Sequence, residues 1–112
     1  LYYYIMPEIQ INNLYKRKIT SKSLEKTALE HIHENFIDWM HACGKKGRCT
    51  TCKMIVLEGE NNLGELTGPE IKYREQGRLA SNERLSCQAV VTGDIIIEVA
   101  EKNKFPHMDY SY

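Results

Sequence analysis

The chain has 112 residues, enough for one domain around one modest core. Its 15 Lys and Arg balance 15 Asp and Glu, and the halves differ only mildly: +3 over residues 1–52 and −3 over 53–112. Neither value marks a nucleic-acid-binding or anionic membrane-binding surface, and LYYYIM at the start is too short for a signal-peptide core or a membrane span and has no basic stretch before it.

In chain order, EIQINNLYKRKIT alternates Ile9 and Ile11 with polar residues. It then reaches Asn12-Asn13, a turn signal, and resumes an extended pattern from Leu14 to Thr20, which predicts a β-hairpin. In SLEKTALEHIHENFI the residues Leu24, Ala28, Leu29, Ile32 and Phe36 recur at helical spacing. Ser23 is placed to cap that helix, with Glu25 in its first turn. KMIVLE (53–58) is apolar and β-branched, and reads as a strand. Residues 59–68 read as a loop containing Gly59, Gly64 and Gly68. Pro69 opens a short helix, EIKYREQ, that stops at Gly77. The last segment, SCQAVVTGDIIIEVA, turns at Thr92-Gly93-Asp94 and then puts Ile95, Ile97 and Val99 on one strand face.

The predicted order is thus β-β-α-loop-β-short α-β-β, an α+β arrangement with one main helix across a small mixed sheet. One domain spans 1–112, with its core over about 7–100. Residues 1–5 read equally as an extension before Met6-Pro7 or as a lengthening of the first strand, and 103–112 as a docking segment or a frayed tail.

The cysteines carry the chemistry. CGKKGRCTTC places Cys43, Cys49 and Cys52 on ten residues, and Cys87 follows alone in RLSCQ. Four cysteines without an export signal argue against structural disulfides and for a reducing, cytoplasmic setting. The spacing C-x5-C-x2-C, then 34 residues, then C, fits tetrahedral zinc poorly, because four-cysteine zinc sites draw their ligands as pairs from two knuckles. Buried free thiols do not explain cysteines set among Gly, Lys, Arg and Thr without core periodicity. Cys-x-x-Cys redox chemistry would leave Cys43 and Cys87 without a role. A 2Fe–2S cluster accounts for all four, since each iron takes two thiolates. Gly44 and Gly47 let the loop backbone turn inward, and small Thr50 and Thr51 let backbone N–H groups approach the sulfurs.

CGKKGRCTTC with RLSCQAVVTGDIIIEV resembles the 2Fe–2S ferredoxins of the plant and vertebrate type over about residues 7–100. The five-residue gap between Cys43 and Cys49 departs from the plant spacing and is similar to vertebrate-type and bacterial members. The resemblance implies a β-grasp fold and Cys43, Cys49, Cys52 and Cys87 as the ligands of one 2Fe–2S cluster. It also implies a one-electron carrier, not an enzyme, that serves a reductase donor and an acceptor protein as a soluble monomer. Alternatives are a module whose cluster state switches partner binding, or a ferredoxin serving iron–sulfur assembly.

The residues hold no nucleophile–base pair, no phosphate loop and no open metal position. Lys45, Lys46, Arg48 and Lys53 make the ligand loop basic, either as solvated surface or as cations favouring the reduced cluster. Trp39 and Met40 are expected to pack beneath that loop. His31, His33, His41 and His107 are not expected as ligands, with His33 facing solvent. Vertebrate-type ferredoxins use an acidic second helix for partners. Here Glu58, Glu60, Glu65, Glu70 and Glu75 are interrupted by Lys72, Arg74 and Arg78, so no strong acidic patch is expected.

Overall fold

The structure, a computed structural model, describes residues 7–20, 26–37, 39, 52–100, 104–106 and 108–111. Its elements run β1 (Glu8–Ile11), β2 (Arg17–Thr20), α1 (Ala28–Glu34), β3 (Lys53–Glu58), α2 (Gly68–Glu75), β4 (Glu83–Leu85) and β5 (Ile95–Val99). The strands form one sheet in the order β2-β1-β5-β3-β4, with β1 and β5 parallel and the other neighbours antiparallel. This is the expected α+β, β-grasp architecture.

Alternation explains the sheet. Ile9 and Ile11 on β1, Ile19 on β2, and Ile95, Ile97 and Val99 on β5 are all buried. They meet Ala28, Leu29 and Ile32 of α1 in one core cluster. Fully burying each of the larger side chains contributes about 1.5–3 kcal/mol. Asn13 extends the pairing of β5 by side chain. Its Nδ2 donates to Val99 O at 3.0 Å, and its Oδ1 accepts from Val99 N at 2.9 Å.

Four expectations change. The hairpin turn spans residues 12–16, not Asn12-Asn13 alone; the left-handed positions are Tyr15 and Lys16, and Leu14 sits in the turn yet is buried. Helix α1 begins after Thr27, not Ser23: the Thr27 side chain and Glu30 form a reciprocal capping box, and that closure fixes the start. Ser23, Leu24 and Glu25 lie outside the described residues. Phe36 is 94 % exposed, because α1 ends at Glu34 and Phe36 turns left-handed (φ 58°), which breaks the helical stripe and hands the buried position to Ile37. SCQAVV is not a strand. Residues 86–88 turn, and Val90 and Val91 make only isolated bridges to Thr27 and Leu63, while the strand that pairs with β3 is Glu83–Leu85.

KMIVLE forms β3 as read, and α2 stops before Gly77, whose φ is +72°. The tail is docked: Met108 and Tyr110 pack on the core, and Ser111 N donates to Asn13 O at 2.9 Å.

Candidate metal centre

Strand β3 begins immediately after Cys52, and β4 ends two residues before Cys87. Their antiparallel pairing sets Lys53 opposite Leu85. That register carries two cysteines far apart in sequence to one point, where the Cys52 and Cys87 sulfurs stand 3.2 Å apart. Both residues are buried, and at this distance the two sulfurs are not bonded to each other, a disulfide requiring about 2.05 Å.

Hydrogen bonds fix the backbone around this pair. Cys52 O accepts from Ser86 N at 3.2 Å, Ser86 Oγ at 2.5 Å and Trp39 Nε1 at 3.2 Å. Trp39 is 3 % exposed and reaches the backbone of Cys52 through this bond; Met40 and loop residues 43–51, beneath which both were expected to pack, lie outside the described residues. The start of α1 holds the other side. Ala28 N donates to Ala89 O and Leu29 N to Ser86 O, both at 2.9 Å. Two N–H groups that a helix start leaves unsatisfied thus hold the turn carrying Cys87. Gln88 Nε2 lies 3.9 Å from the Cys87 sulfur, a long N–H···S contact.

Behind the turn sits a buried ion pair. Glu70 on α2 accepts from Arg84 Nε at 2.6 Å and Arg84 Nη2 at 3.0 Å, and also from Leu85 N at 3.0 Å. Of the five acidic residues near α2, Glu70 is therefore internal and presents no charge to a partner. The spacing of Thr67 and Glu70, a T-x-x-E capping pattern, held the signal that this glutamate turns inward. Nothing in the sequence marked Ser86 as a clamp on Cys52.

The donor set fits a metal centre. Two thiolates on one tetrahedral ion, with metal–sulfur bonds of about 2.3 Å, stand about 3.7 Å apart, so the Cys52–Cys87 pair needs to open by only about half an ångström. Cys43, Cys49 and the basic residues Lys45, Lys46 and Arg48 lie outside the described residues, as do His41 and His107. Among the described residues no three His, Cys, Asp or Glu side chains gather as a metal site. His31 is buried in the α1 face and His33 is half-buried rather than open to solvent.

Residues 11–92 match the family described as 2Fe-2S iron-sulfur cluster binding domain. The chain is 40 % identical over 76 residues to a 2Fe-2S ferredoxin of Escherichia coli K12, covering 66 % of this chain and 68 % of that one. It superposes on the crystal structure of an ISC-like 2Fe-2S ferredoxin from Pseudomonas putida with a TM-score of 0.71 and 29 % identity, over 86 % of this chain and 94 % of the other. It is also 38 % identical over 74 residues to one component of the Na(+)-translocating NADH-quinone reductase of Methylococcus capsulatus, over 66 % of this chain but 17 % of that longer protein. The chain belongs to the 2Fe–2S iron–sulfur cluster binding domain family. Its cofactor is one 2Fe–2S cluster, and no helix among the described residues is long and apolar enough to cross a membrane.

Proposed function

We propose that this ferredoxin is a one-electron carrier that accepts an electron from a reductase and delivers it to an acceptor protein. Cys43, Cys49, Cys52 and Cys87 hold its cluster. When bound, the cluster supplies a centre that stores and releases one electron. The chain's own work is to hold that centre, exclude water on the Cys52–Cys87 side and set its surroundings. It contributes no catalytic group and acts as a cytoplasmic monomer whose ferredoxin domain has its core over about residues 7–100. Thiols used as ligands rather than as disulfides suit a reducing compartment. A reductase donor is supported by the similarity to part of an NADH-quinone reductase component.

The observation that carries this reading is the 3.2 Å approach of two buried cysteine sulfurs from distant parts of the chain. The test is anaerobic purification, followed by iron and sulfide analysis and by visible and EPR spectra before and after one-electron reduction. Reversible bleaching with an EPR signal in the reduced form, and electron delivery from a ferredoxin reductase to a haem protein, are expected. Zinc in place of iron and sulfide would overturn the reading.

A further inference from the structure

The β1–β2 turn, the residues just after α1 and the C-terminal tail enclose an open groove of about 540 Å³. Leu14, Tyr15, Arg17, Phe36, Ile37 and Met108 line it together with Asp109. That volume falls within the range of roughly 300–1,000 Å³ typical of ligand sites. Two of its aromatics stand in water, Phe36 at 94 % and Tyr15 at 68 % exposure.

The backbone beneath those aromatics is strained. Among the described residues, the non-glycine positions with positive φ are Tyr15 (56°), Lys16 (54°) and Phe36 (58°). Tyr15 and Phe36 line the groove, and Lys16 sits between two lining residues. Bulky residues rarely adopt this conformation, and glycine adopts it without steric cost. A fold selected only for stability would place glycine at Phe36, whose side chain gains almost nothing from burial. Strain of this kind gathers where a surface is used. Charge narrows the occupant. Lys16 and Arg17 have no carboxylate partner among the described salt bridges, Arg17 Nη2 donating only to Asn35 O at 3.4 Å; Lys18 is half-engaged by Glu8 at 3.9 Å; and Asp109 is the one carboxylate among the described lining residues.

We propose that this groove docks an acidic, apolar-bearing segment of a partner protein. Leu or Phe side chains of that segment enter between Tyr15 and Phe36, and its carboxylates face Lys16 and Arg17. The surface is separate from α2, whose central acid, Glu70, is turned inward.

The test uses isotope-labelled, cluster-loaded protein and a short synthetic peptide alternating Glu with Leu and Phe. Two controls carry Lys for Glu, or Gly for Leu and Phe. The acidic apolar peptide is expected to shift the resonances of Tyr15, Phe36 and Met108, and the controls are not. Phe36→Gly, and separately Lys16→Glu with Arg17→Glu, should weaken binding by about tenfold or more, the loss typical of a contact that dominates an interface. Phe36→Gly should leave the melting temperature unchanged or raised, because it removes the strain. Cluster spectra and one-electron reduction are recorded on the same samples, so loss of docking and loss of electron carriage are read separately. The proposal is overturned if the groove resonances do not move, if the lysine peptide binds as well, or if Phe36→Gly lowers the melting temperature. It is also overturned if sedimentation shows self-association that Phe36→Gly abolishes, since a second copy would then be the occupant.

Discussion

Glu70 and Arg84 form a two-pronged ion pair, 2.6 and 3.0 Å, at 0 % and 4 % exposure, and the same carboxylate accepts from Leu85 N two residues before Cys87. One side chain thus ties α2 to the strand that leads to Cys87, a proposed ligand. Breaking a buried pair from one side leaves an uncompensated charge, at a cost of about 3–5 kcal/mol. Glu70→Ala should lower the urea midpoint accordingly and speed cluster loss. Glu70→Leu with Arg84→Met removes both charges and should be clearly milder. A double variant as damaged as the single one would show that geometry at Leu85 N, not the orphaned guanidinium, dominates.

Each proposed ligand should be required. Cys43→Ala, Cys49→Ala, Cys52→Ala and Cys87→Ala each leave one iron short of a thiolate, and each should purify with sharply reduced iron and sulfide. A full complement in any of them would remove that residue from the site.

Removing the cluster should loosen the turn that carries Cys87. In the proposed site the cluster would join Cys52 and Cys87 only in the folded chain, so its binding energy would add to folding stability. The Ser86 N–H bonded to Cys52 O, and the Leu29 N–H bonded to Ser86 O, report on this junction. Both amides should exchange faster in the apo-protein, while those pairing β1 with β2 change little. Equal protection with and without the cluster would place the junction's stability in the polypeptide alone.

Gly59 sits at φ +86° where β3 gives way to the loop, and a Cβ there would lie 2.3 Å from Asp94 O and 2.9 Å from Ile95 Cα. The obstruction is backbone, which cannot swing aside. Gly59→Ala adds the left-handed penalty of about 1–2 kcal/mol to that clash and should be strongly destabilising. Gly77→Ala, at φ +72° with open space around it, should carry the left-handed penalty alone. Comparable thermal shifts for the two variants would contradict the close approach.

The sheet was legible because period-2 alternation in EIQI and IIIEV survives folding unchanged, and KMIVLE kept its bounds. The cysteine pattern was legible because few chemistries use that spacing. What the sequence hid was decided by contacts across the fold. Phe36 fits a helical stripe by number, but the helix stops short of it. The chain from Ser86 to Val91 is apolar enough for a strand, yet it is taken up holding the start of α1 through the carbonyls of Ser86 and Ala89. Glu70 looked like surface charge because its partner lies 14 residues away. Local propensity does not register a bond of that kind.

The basic ligand loop gives the last prediction. Lys45, Lys46 and Arg48 lie between the proposed ligands Cys43 and Cys49 in sequence, so their charges act on whatever charge the cluster gains. Reduction adds one negative charge, which nearby cations favour, so their removal must lower the potential. For a charge about 10 Å from the added electron, Coulomb's law gives about 0.4 kcal/mol at the dielectric of water and about 1.7 kcal/mol at a surface value of about 20. For a one-electron couple these correspond to shifts of about 20–70 mV, which salt reduces. Lys45→Gln with Lys46→Gln should therefore lower the potential in protein-film voltammetry, more at low ionic strength than at high. Lys53→Gln is the internal comparison. Its ammonium is already engaged by Glu83 at 3.3 Å, so its loss removes a largely neutralised charge and should move the potential less. An unchanged potential in the double variant at low salt would assign the loop lysines to solvated surface, leaving backbone N–H groups to set the potential.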